Sequence, residues 1–204
     1  MDFVRRCANL YGLKNAILGR WSQTGRWGAV DGLPMPVCQL VRAVRDKCFR
    51  GEAAFSFCAA KNQHYYGFKL HAMLNEQDEF CGIGVTAANV DERLPLEQSA
   101  DGPCPLILAD KGLLSARLEA DLAEHGVELV TPKRRNMQDT RPPKLVQTAM
   151  KLRRRIEMAF GQLVERFSMN RTRGRDLGRW LARVLRKILA YNFTIRFKRL
   201  ALAD

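Results

Sequence analysis

The run PLILADKG, residues 105–112, constrains this chain more than any other stretch. Leu106, Ile107, Leu108 and Ala109 are apolar without alternation. A strand with apolar side chains on successive positions is buried on both faces, because successive residues point to opposite sides of a sheet. Such a strand needs a covering layer on each side. The run ends in the acid Asp110 and is closed by Gly112.

The neighbouring segments supply strands and covers. RWGAVDGLPMPV is a short apolar run stopped by Gly32, Pro34 and Pro36, which predicts a strand over residues 26–31 ending at Asp31. Residues 39–61 are mixed and basic and read as irregular. Tyr65 to Leu74 is aromatic and apolar, NEQDE is a polar turn, and FCGIGVTAA is a further strand, so the three together predict an antiparallel hairpin. LLSARLEADLAEHG has helical spacing, with Leu114, Leu118 and Leu122 on one side and Gly126 as the stop. VELVTPK predicts another strand. Two long helices follow. In the first, Leu145, Ala149, Leu152, Ile156, Phe160, Leu163 and Phe167 recur every three or four residues. The second begins near Asp176, a suitable N-cap, and carries Leu177, Leu181, Val184, Leu185, Ile188 and Leu189. The first twenty residues fit a helix only loosely, and no internal repeat or low-complexity tract is present. The order predicts an α/β fold: a mixed sheet flanked by helices.

Charge divides the chain. Residues 1–132 hold 14 Lys+Arg and 16 Asp+Glu, a net of −2, whereas residues 133–204 hold 20 and 5, a net of +15. This asymmetry points to a polyanionic partner, nucleic acid first and an anionic membrane surface second, against the plainer reading of a solvated helical surface. No uninterrupted apolar run approaches the ~20 residues that cross a bilayer. The six cysteines form no C-x-x-C pair, which argues for reduced thiols and against a zinc site. His64 and His71 flank a strand and read as ordinary polar residues rather than ligands.

Acids stand out against this background. Asp31 and Asp110 end apolar runs, and ligands of open α/β sheets gather beyond the carboxyl ends of strands. Glu157 follows three arginines in RRRIEMAFGQ. It lies about 100° round the helix from the core residue Ile156, at the edge of the buried stripe. Three converging carboxylates repel one another, and a divalent cation relieves that repulsion. Two Mg²⁺ ions ~4 Å apart can activate a water or a 3′-hydroxyl and stabilise the leaving oxygen at phosphorus. The competing reading is that the aspartates cap turns and Glu157 is a surface ion-pair partner.

These same residues carry a resemblance. HYYGFKLHAMLNEQDEFCGIGVTAANVDER, LILADKG, ELVTPKRRNM, RRRIEMAFGQLVERF and LARVLRKILAYNF, in that order, resemble the catalytic part of bacterial insertion-sequence transposases of the DDE class, over roughly residues 25–195. The resemblance implies an RNase H-like fold over residues 25–199, after an N-terminal helical remnant at 1–24. It implies Asp31, Asp110 and Glu157 as catalytic acids holding Mg²⁺ or Mn²⁺, two ions in all. Arg153 matches the basic residue that many relatives carry before the glutamate, where it contacts DNA phosphate. Where relatives place a lysine seven residues after the glutamate this chain has Val164, with Arg166 nearby. Lys111, Lys133, Arg134, Arg135, Arg153, Arg154 and Arg166 are then the expected DNA contacts. Asp91 in ANVDER reads as a turn residue or a support behind the metal ligands. The expected partners are element-end and target DNA and a second copy of the chain, with no membrane, in a bacterial cytoplasm on the nucleoid. Because little more than two dozen residues precede the first strand, the chain reads as an N-terminally truncated copy or one whose end recognition is done elsewhere. Two other functions stay open: a non-catalytic DNA-binding remnant, and an RNase H-like nuclease of other purpose.

Overall fold

The computed structural model describes residues 25–97, 104–134 and 136–202. The helix expected in the first twenty residues and the expected DNA contact Arg135 lie outside them. Six strands form one mixed sheet: β1 Gly28–Pro36, β2 Ala54–Cys58, β3 Gln63–Asn75, β4 Phe80–Ala87, β5 Leu106–Leu108 and β6 Glu128–Val130. Among the described residues four α-helices accompany them: α1 Arg93–Glu97, α2 Ala116–Glu124, α3 Pro143–Glu165 and α4 Leu177–Leu200. The order along the sheet is β2-β3-β1-β5-β6, with β4 also on β3. The β1–β3, β2–β3 and β3–β4 pairs are antiparallel, while β5 runs parallel to both β1 and β6.

The double burial predicted from LIL is realised, and the pleat divides the core in two. Ala29, Ala72, Leu74, Leu108 and Val130 face α3 and α4, where they meet Ile156, Phe160, Leu163 and Trp180. Val30, Met73, Ile107 and Leu129 face the other way, toward Leu96 of α1 and Leu118 and Leu122 of α2. Adjacent residues thus feed opposite layers. This is an RNase H-like arrangement of mixed sheet and helices.

Two sequence readings need correction. β1 does not end at Asp31 but runs on to Pro36, so Asp31 sits in mid-strand opposite Ala72 of β3. β5 accompanies only Gly28 and Ala29, leaving the rest of β1 with β3 alone as its partner among the described strands. A strand paired on one side tolerates Pro34 and Pro36, which lack an N–H. The segment 39–61 is not irregular either: it holds β2, which extends the sheet against the start of β3. Gly67, where β3 passes from β2 to β1, has φ +158°, and a Cβ there would lie 2.2 Å from the Met35 carbonyl oxygen. Only glycine permits that approach.

The closing helix α4 is pinned to the β3–β4 turn. Asn192, fully buried, accepts from the Phe80 N–H at 2.9 Å and donates to the Phe80 carbonyl at 2.8 Å. Asp176 caps the helix by accepting from the Arg179 N–H at 2.8 Å, as its position in the sequence predicts.

Candidate active site

Asp31 shares a β1 face with Ala29, the face that packs against α3. Its Oδ1 accepts from the Gly32 N–H at 2.8 Å, and its Oδ2 lies 3.6 Å from Nη1 of Arg153. Burial pushes its pKa up from 3.8 to about 6, and the negative charges of Glu92 and Asp110 push the same way. The Gly32 hydrogen bond and the Arg153 charge oppose the rise without cancelling it. A carboxylate held in that condition is under electrostatic strain, a frequent mark of functional sites.

Asp110 follows β5 and opens the single turn Lys111–Leu113. Its backbone carbonyl accepts from the Leu113 N–H at 2.9 Å, but its side chain makes no capping hydrogen bond. The turn is therefore held by backbone, and the carboxylate is not needed as a cap. A cleft is lined by Asp110, Lys111, Gly112, Lys133 and Arg134, so three of the expected DNA contacts border this acid. Lys133 also lies 3.8 Å from Glu119 of α2.

Glu157 is exposed on α3, one turn after Arg153. Nη2 of Arg153 reaches its Oε1 at 2.5 Å. One guanidinium, its side chain only 14 % exposed, thus contacts two of the three predicted acids through two different nitrogens. The third, Asp110, is close enough for its charge to act on Asp31. Among the described residues, no three His, Cys, Asp or Glu side chains are gathered tightly enough to hold a metal ion. The donor chemistry nonetheless suits a hard divalent cation: all three groups are carboxylates, and a cation already lies between two of them.

Asp91 is a turn residue, accepting from the Arg93 N–H at 2.9 Å. The acid that approaches Asp31 is its neighbour Glu92, which pairs with Lys69 at 3.0 Å and lies over Gly32 and Gly112. Nothing in VDER distinguishes Glu92 from Asp91, so sequence reasoning missed it. Arg154 is exposed on α3. Arg166 ends α3 nine residues beyond Glu157, roughly 13 Å along the helix axis, and so lies apart from the acids. His71 bonds Thr86 Oγ1 at 2.8 Å, and burial holds its pKa down near 4, so it is a neutral sheet residue. His64 packs its ring against Phe57 at a tilt, with centroids 4.9 Å apart. The described cysteines at 38, 48, 58, 81 and 104 are free thiols. No helix among the described residues is long and apolar enough to cross a membrane.

The basic third is less uniform than its charge implied. Arg155 bonds Asp78 at 2.7 Å and the Glu76 carbonyl at 3.0 Å, and it stacks over Trp27. Lys187 donates to the Ser168 carbonyl and Thr172 Oγ1, and Arg196 grips Glu79. These cations hold the fold together.

A mixed sheet with helices on both faces, one acid within its central strand, a second after the adjoining parallel strand and a third on the helix over the same face place the chain in the RNase H-like class. The chain belongs to the transposase DDE domain family, whose profile matches residues 22–177 and so spans every predicted acid. The family is one of transposition enzymes that act on DNA and generally use divalent metal ions. No curated protein and no solved structure gives a significant match.

Proposed function

We propose that the protein cleaves DNA at the ends of an insertion sequence and joins the freed strand to target DNA, with Asp31, Asp110 and Glu157 as ligands of divalent ions, Mg²⁺ or Mn²⁺. Bound there, such ions would supply an activated oxygen nucleophile and charge stabilisation at phosphorus. The chain's own residues then have separate tasks. Asp31 stands in a strand that pairs with β3 along its whole length. Asp110 sits on the short turn that follows β5, and Glu157 stands on α3 beside Arg153. Lys111, Lys133 and Arg134 border Asp110 and are placed to hold the phosphates on either side of the cut. Arg154, exposed on α3, is a further cation for the DNA. Chemistry at two element ends calls for two copies of the chain on DNA.

The observation that carries this reading is the single cation spanning Asp31 and Glu157, with Asp110 acting on Asp31 from the adjoining strand end. The test is strand cleavage of DNA bearing the element's ends in the presence of Mg²⁺. Asp110→Asn is expected to abolish cleavage while leaving salt-sensitive DNA binding in place; wild-type cleavage by that variant overturns the role given to Asp110. A second reading, a DNA-binding remnant without catalysis, is favoured by the absence of a tight three-acid cluster among the described residues. It requires that the wild-type protein bind DNA in chelator and cut none with any divalent ion.

A further inference from the structure

Three consecutive arginines precede Ile156, and the helix sends them to three destinations. Arg154 is exposed, and Arg155 ties α3 to the β3–β4 turn through Asp78 and the Glu76 carbonyl. Arg153 lies mostly covered between Asp31 and Glu157. A residue that served only to contact DNA phosphate would gain nothing from being covered in the free protein. Its planar fork offers separate nitrogens to separate carboxylates, which the point charge of a lysine cannot reproduce. The two contacts are unequal. The Glu157 contact, at 2.5 Å, is along one helix; the Asp31 contact, at 3.6 Å, crosses from helix to sheet and is the weaker arm.

We propose that Arg153 is a stand-in counter-ion. In the metal-free protein its guanidinium holds the Asp31 and Glu157 carboxylates near one another, and it must withdraw from between them when divalent ions enter. This rests on the metal-dependent reading above. Two cations cannot occupy one gap between the same carboxylates, so binding of the ion and retention of the Asp31 arm exclude each other. Withdrawal through the weaker arm leaves the guanidinium anchored by its own helix at the edge of the site, pointing toward whatever anion lies there. Arg153 is thus a positioning residue in the free protein, and only later a phosphate contact.

The sign of one measurement separates this role from a merely structural one. Mn²⁺ binding to the DNA-free protein is titrated at pH 8 by the loss of the free-ion electron paramagnetic resonance signal. Removing a structural prop would weaken binding; removing a competitor strengthens it. Arg153→Ala is expected to bind Mn²⁺ about fivefold or more tightly than wild type, to melt at a lower temperature without metal, and to gain more than wild type in melting temperature when Mn²⁺ is added. Arg153→Lys, which keeps the charge but cannot span both acids, is expected to fall between and covers the case in which the alanine variant does not fold. Unchanged or weaker Mn²⁺ binding by a folded Arg153 variant overturns the proposal. Asp110→Asn separates the two levels. If it weakens Mn²⁺ binding while the Arg153 variants are neutral, only the counter-ion role fails. If neither wild type nor any variant binds Mn²⁺, the metal-dependent reading fails with it.

Discussion

Glu79 and Asp31 both meet arginines, and they are treated in opposite ways. Glu79, at the end of the β3–β4 turn and 2 % exposed, is gripped by Arg196 through both carboxylate oxygens at 2.9–3.0 Å, with Arg199 at 3.5 Å. Asp31, in the middle of β1, receives one arginine nitrogen at 3.6 Å and keeps a raised pKa. The first acid is supplied with charge-assisted bonds from α4 and closes a joint of the fold. The second is desolvated and left incompletely neutralised, facing two further acids. A fold that neutralises one buried carboxylate fully has the means to do so elsewhere; the charge left uncompensated at Asp31 is what the proposed role in holding divalent ions requires.

The comparison can be broken at the Glu79 end, where the largest effect is expected. Glu79→Ala removes the carboxylate that Arg196 and Arg199 share and should destabilise the protein by about 2–3 kcal/mol in urea unfolding, less than for a fully enclosed pair because both arginines reach solvent. Asn192→Leu, one layer deeper, strands the Phe80 N–H and carbonyl and should cost about 2 kcal/mol. A loss below half a kcal/mol in both variants would show that α4 is not pinned at this turn.

Asp31 should respond with the opposite sign. Its folded pKa of about 6 lies above the ordinary 3.8, so the ionised form costs the fold stability above pH 6, and that cost is gone below 3.8. Asp31→Asn should therefore stabilise the metal-free protein at pH 8 by on the order of 1–2 kcal/mol. Thermal melts across pH should show the advantage shrinking between pH 6 and pH 4. A variant less stable than wild type at pH 8 would place Asp31 with Glu79, as a structural acid. The smallest effect belongs to Asp91→Ala: loss of one exposed turn bond to Arg93 should shift stability by a few tenths of a kcal/mol and leave DNA cleavage unchanged.

The legible parts of the fold were those where one local pattern decides. The doubly buried LIL strand, the β3–β4 hairpin around its polar turn and the two long apolar stripes all appear where periodicity placed them. Pro34 and Pro36 predict too short a β1; a strand with one open side accepts them, and openness is a tertiary property. β2 escaped notice because five residues with two exposed phenylalanines carry no burial signal, and pairing with β3 is what makes them a strand. Within the site, Asp31, Asp110 and Glu157 were recognisable as acids at suggestive places. The position of Glu92 beside Asp31 was not, since it depends on how the 88–92 loop crosses Gly32. Nor could adjacent arginines be told apart: Arg153 and Arg155 differ only in helical phase, yet one meets the acids and the other a turn.

If Asp31, Asp110 and Glu157 act as one unit on divalent ions at DNA, the losses from replacing them do not add. Mg²⁺-dependent cleavage of element-end DNA is measured for Asp31→Asn, Asp110→Asn, Glu157→Gln and the triple variant, each shown by circular dichroism to be folded. Each single substitution should lower the rate by about 10²-fold or more, and the triple variant should be scarcely worse than the most damaged single one. Three small losses that multiply, or one acid whose replacement leaves the wild-type rate, would contradict the account.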